Sequence, residues 1–110
     1  MRIVWSPLTV ECAIEGSRYI AADDAQAAQA WVERLFARVE RLSRFPQSGR
    51  LVPELRRADI REIIHGGYRV IYFAKIEKGL IWMLTMYPKN VKDNIPANIL
   101  RQMRQEVEDA

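Results

Sequence analysis

The fold is decided by residues 60–93, IREIIHGGYRVIYFAKIEKGLIWMLTMYPKNVKD. Ile60, Ile63 and Ile64 mark one β-type run, 68–74 a second and 80–87 a third. His65-Gly66-Gly67 separates the first two. Paired glycines reach positive φ without steric cost, so this is a hairpin signal. Glu77-Lys78-Gly79 provides the second turn. The runs are apolar on both faces, so the sheet they form must be covered on both sides. Cations are spread along the same stretch at Arg61, Arg69, Lys89 and Lys92. On a small sheet they can gather round one phosphate-bearing ligand.

Upstream, residues 2–5 read as a first strand. Ser6-Pro7 then starts a helix: the hydroxyl can cap it, and proline suits the first helical position because its missing N–H has no partner there. This helix is expected to reach Ile20. After a break at 21–24, where Asp23 or Asp24 can cap, Ala28, Trp31, Leu35, Val39 and Leu42 recur three and four apart. That is one face of a helix. Val32 and Phe36 widen the stripe, and Glu33, Arg34, Arg38, Glu40 and Arg41 occupy the rest. Phe45-Pro46 ends it. The short link predicts an antiparallel helix hairpin. Gln47 to Arg50 reads as a turn and 51–58 as irregular chain. A final helix over 96–108, with Ile99, Leu100, Met103 and Val107 on its apolar face, is the candidate cover for the second face of the sheet. The expected order is β-α-α-β-β-β-α, an α+β domain spanning 1–110 with a helix hairpin on a small antiparallel sheet.

Composition bounds the function. The chain has 110 residues, 49% hydrophobic and 28% charged, with a formal charge of +3. The sequence pI is 9.3, a mild bias toward acidic partners such as nucleic acid. One cysteine, Cys12, excludes an internal disulfide and points to a reducing cytosol. MRIVWSPL lacks the apolar core of a signal peptide, and no run approaches a membrane span, so a cytoplasmic location without membrane contact is expected. Neither a metal-ligand cluster nor a nucleophile triad stands out, and no cofactor is implied. Trp31, Cys12, Met83 and Met86 read as packing residues.

Taken in order, these segments resemble the RelE/ParE superfamily of toxins from bacterial toxin–antitoxin pairs. LSRFPQSGRLVPEL followed by IREII-HGGYRVIYF is similar to the ParE side. LTMYPKNVKDNI is similar to the RelE/HigB side, where a strand ends in tyrosine, then Lys-Asn and another lysine. The resemblance implies a small basic cytosolic toxin held inactive in a hetero-oligomer by a cognate antitoxin whose tail folds on binding. RelE-like members cut messenger RNA on the ribosome, and ParE-like members poison DNA gyrase. Ribosome-dependent RNA cleavage is the mechanism expected here, because the late motif places cations where that chemistry would use them. Gyrase poisoning, and a toxin-fold protein that only binds antitoxin, are the alternatives.

For RNA cleavage the resemblance places Arg69 and Lys89, and the residues around them supply candidates for the remaining roles. Metal-free cleavage needs a base for the 2′-hydroxyl, cations for the phosphorane and a proton donor for the leaving oxygen. Arg69 would grip the phosphate, and Lys89 would supply a second cation. Tyr87 would orient or stack on a base, and Glu62 or His65 would take the proton. Arg56, Arg57, Arg61 and Lys92 would bind RNA. One departure stands out: RelE has paired lysines on the first hairpin strand, where this chain has IREII. Read from the residues alone, Arg69 can equally pair with Glu62 at the sheet edge, and His65 suits an exposed turn.

Overall fold

The computed structural model describes residues 1–89 and 95–109. Strand β1 (Arg2–Trp5) leads into helix α1 (Pro7–Ala21) and helix α2 (Ala25–Leu42). A two-residue strand β2 (Arg50–Leu51) precedes β3 (Ile60–His65), β4 (Tyr68–Lys75) and β5 (Leu80–Pro88), and α3 (Ala97–Asp109) follows. The five strands lie in the order β1-β5-β4-β3-β2. The sheet is therefore mixed: β5, β4, β3 and β2 are antiparallel as expected, while β1 adds a parallel strand beside β5. The helix hairpin between β1 and the sheet is long enough to allow that parallel return. β2 falls where the sequence reads as turn and irregular chain, because two exposed residues carry no alternation to detect.

Both helix starts form as their residues dictate. Ser6 Oγ accepts from the Thr9 amide at 3.1 Å, and Asp24 Oδ1 accepts from Gln26 and Ala27 at 3.0 and 3.1 Å. The Ser6 cap has a second task. Strand β5 pairs Met83 with Tyr72 and Thr85 with Ile71, so Leu84 is an extra residue, a β-bulge. Ser6 Oγ donates to the Leu84 carbonyl at 3.0 Å, and the Ser6 amide and Thr9 Oγ1 donate to the Met83 carbonyl at 3.1 and 2.9 Å. The helix start thus bonds the carbonyls that the bulge exposes.

The sheet divides two cores. On one face Trp31, Leu35, Val39 and Leu42 of α2 pack on Val70, Tyr72, Ile81, Met83 and Met86, with Cys12 and Tyr68 against them. On the other, α3 brings Met103, Ile99, Leu100 and Val107 to Ile60, Ile71, Phe73 and Leu84. The final helix therefore does cover the second face. Trp82 Nε1 fastens it by donating to Glu106 at 3.0 Å.

The hairpin turn needs its two glycines for different reasons. Gly66 and Gly67 have φ of +52° and +83°. A Cβ at Gly66 would lie 2.5 Å from Trp31 Nε1, whereas one at Gly67 meets nothing within 4 Å. Gly67→Ala is expected to lose about 1–2 kcal/mol from left-handed strain alone. Gly66→Ala adds a collision with a packed indole and should be the less stable of the two. Urea unfolding of both variants, read by tryptophan fluorescence, checks the order.

Candidate functional site

The alternation of β4 decides which side chains meet. Successive side chains of a strand point to opposite faces. Tyr68, Val70 and Tyr72 face the helix hairpin, so Arg69, with Ile71 and Phe73, faces α3. On β3 the residue opposite Arg69 is Ile64, and Glu62 lies two residues on, a diagonal neighbour. The bulge in β5 shifts the alternation by one and sets Tyr87 opposite Arg69.

Arg69 is consequently enclosed by acceptors. Its Nε donates to Glu62 Oε2 at 2.6 Å. Nη1 and Nη2 bind the two oxygens of Glu54 at 2.7 and 3.0 Å, a bidentate pair. Nη1 also reaches the Tyr87 hydroxyl at 3.0 Å, and the guanidinium carbon lies 5.6 Å from the centre of that ring. The side chain is 6% exposed. The hydrogen bonds that the Arg69 guanidinium donates to Glu54 hold its pKa well above the ordinary value. Reciprocally, the hydrogen bonds from Arg69 hold the Glu54 carboxyl below the usual carboxylate range, against the effect of burial. Burial pushes the Tyr87 phenol up. Glu62 is fully buried and accepts a second bond from Arg50 Nε at 2.6 Å. Glu54 also accepts from the Ile95 amide at 3.0 Å, just before α3.

His65 is elsewhere. Instead of an exposed turn position it occupies a buried site, 5% exposed, on the helix side of the sheet. Its Nε2 lies 3.0 Å from the Trp31 carbonyl, so this nitrogen carries the proton, and the two rings are 5.5 Å apart. Burial holds its pKa below the ordinary histidine value. Lys89 is exposed beyond β5 and lines an open cleft with Tyr19, Tyr68 and Pro88, also on the helix side. Its amide donates to the Gly67 carbonyl at 2.7 Å. Arg61 Nη1 donates to the Gly49 carbonyl at 3.0 Å. Arg57 forms a bidentate pair with Asp59 at 2.9 and 2.7 Å, and Arg56 is exposed. Lys92 lies outside the described residues.

The residues assigned from sequence thus fall into two groups. Arg69, Glu62 and Tyr87 are together on the α3 face, and His65 and Lys89 are on the other. Glu54 and Arg50 complete the first group and were not foreseen. Both sit in chain that reads as turn or irregular, where no periodicity aims a side chain. No cluster of acidic, histidine or cysteine side chains that could hold a metal occurs among the described residues. Likewise, none of the described helices is long and apolar enough to cross a membrane.

Two outcomes are expected. Arg69→Met leaves Glu62 buried and short of a partner, a loss of about 3–5 kcal/mol for a broken buried pair. Chemical denaturation measures it. The second concerns pH. A carboxyl whose folded pKa is lowered adds stability above its unfolded value, here 4.5, and loses it as pH falls through the folded value. Glu54→Gln should therefore show a smaller drop in melting temperature than the unsubstituted protein between neutral pH and the acid side of 4.5.

Against known proteins, one family model matches this chain. It describes the ParE toxin of the type II toxin–antitoxin system parDE, and it spans residues 3–84. A search of curated proteins returns no match. The matched segment takes in β1, the helix hairpin, the β3–β4 hairpin with Arg69, and β5 as far as the bulge. The chain belongs to the ParE toxin family of type II toxin–antitoxin systems.

Proposed function

We propose that this toxin arrests growth by binding DNA gyrase, and not by cutting RNA. The observation that carries the reading is the state of Arg69. A phosphate-gripping arginine must offer its N–H groups to the substrate. Here Nε, Nη1 and Nη2 each already serve Glu62 or Glu54. The charges of Arg69 and Arg50 are matched by those two carboxylates, so the cluster offers a further anion no uncompensated cation. The bases are no better placed. Glu62 is locked between two arginines, and His65 is buried across the sheet with its Nε2 proton on a backbone carbonyl. General base catalysis needs a group within hydrogen-bond reach of the 2′-hydroxyl, and neither side chain presents one to solvent. Poisoning by surface contact needs no such constellation. It also suits a ParE family member, which has a cognate antitoxin as its partner.

The reading separates from RNA cleavage in two measurements. Purified toxin should slow gyrase supercoiling and leave cell-free translation intact. Lys89→Ala, which keeps the backbone bond to Gly67, should arrest growth as strongly as the unsubstituted toxin. Blocked translation with normal supercoiling, or loss of toxicity in the folded Lys89 variant, overturns it.

A further inference from the structure

Four arginines form a row that the reading above does not use. Arg34, Arg38 and Arg41 are four and three residues apart on α2, the repeat that aligns side chains along one flank of a helix. The backbone winds on for another turn. The Arg44 and Phe45 amides both donate to the Arg41 carbonyl, at 3.1 and 2.9 Å, so Arg44 prolongs the row. From Arg34 to Arg44 the row is about 15 Å long. All four residues are exposed. Among the described residues none of them forms an ion pair with a carboxylate. Arg38 donates through Nη1 to the Ile64 carbonyl of β3, which leaves its charge uncancelled. The ammonium group of Met1 lies at the same end, bonded to the Ser43 carbonyl at 3.2 Å.

Such a row is unfavourable for an isolated helix. Neighbours at i+3 and i+4 with like charge repel one another. Glu40 lies four residues before Arg44, but neither it nor Glu33 forms an ion pair with the row among the described residues. A regular polyanion removes that repulsion. Duplex DNA is the regular polyanion to hand if the toxin acts at gyrase. Its two strands together carry one charge per roughly 1.7 Å of axis, so a row of about 15 Å lies against a dense line of phosphates. Arginine suits the task, since its planar fork takes a phosphate bidentately. A rigid helix also holds the row in register before contact.

We propose that Arg34, Arg38, Arg41 and Arg44 form a sequence-independent contact surface for the phosphate backbone of duplex DNA, engaged when the toxin meets gyrase on its DNA. The choice of DNA over an acidic protein rests on the gyrase reading.

The test uses the full chain and labelled short duplexes of two unrelated sequences, followed by fluorescence anisotropy over a salt series. The unsubstituted toxin should bind both alike, more weakly as salt rises. The triple variant R34Q/R41Q/R44Q, which spares the Arg38 bond to β3, should lose about 2.7 from the slope of log K against log salt, at 0.9 per phosphate contact. R18Q/R101Q/R104Q removes equal charge from other faces and should keep the slope. Circular dichroism confirms that both variants are folded. Equal slope losses in the two variants, absence of duplex binding, or displacement of DNA by polyglutamate of matched charge each overturn the proposal. Supercoiling assays keep the two readings apart. If the folded triple variant poisons gyrase as well as the unsubstituted toxin, the row is not used there and only the gyrase reading stands. If the row binds DNA but the toxin leaves gyrase untouched, the surface stands and the gyrase reading falls.

Discussion

Two opposite charges lie inside the sheet at Arg69 and Glu62, joined at 2.6 Å, with side chains 6% and 0% exposed. Desolvating them is costly unless their remaining hydrogen-bonding capacity is met. Each surrounding element contributes to meeting it. The loop before β3 supplies Glu54, the edge strand β2 supplies Arg50, and β5 supplies the Tyr87 hydroxyl. Glu54 then bonds the Ile95 amide, which joins the charged cluster to the segment before α3. The short edge strand and the final helix are thus tied to one guanidinium.

That constraint bears on activity. Electrostatic catalysis needs preorganised groups aimed at charge that develops on the substrate. In this toxin the groups are preorganised, but they are aimed at one another. The exposed cations lie elsewhere, above all along the flank of α2. A binding toxin needs a rigid scaffold and an exposed surface, and both are present: the helix hairpin is buttressed by a full core on its inner face, and its outer flank carries uncompensated charge.

Much of this was legible in the residues. The apolar repeat from Ala28 to Leu42 specifies a helix and its buried face without help from the rest of the chain, because a helix is a local structure with one period. Ser6-Pro7 and the Gly-Gly turn act just as locally. Arg69 and Glu62 stood out as charges within apolar strands. Their pairing follows from β3–β4 register, which a two-residue turn sets. His65 was harder. Its place beside glycines suggests exposure, yet Trp31 packs over the turn and buries it.

The sequence by itself determined the order of the elements apart from β2, the Ala28-to-Leu42 face of α2, the caps and the β3–β4 hairpin, since each rests on interactions within a few residues or across one tight turn. The α1 face with Val10 and Ile14, and Phe36 on α2, are exposed instead. Only the tertiary structure decided how the two faces of the sheet are populated. The extra residue at Leu84 reverses the alternation of β5 and brings Tyr87 to Arg69, and no local pattern marks it. Glu54 reaches Arg69 from a loop 15 residues away, and β1 joins β5 across nearly the whole chain. Such contacts depend on where the chain returns in space, so the step from a row of candidate cations to a neutralised buried cluster could be seen only in three dimensions.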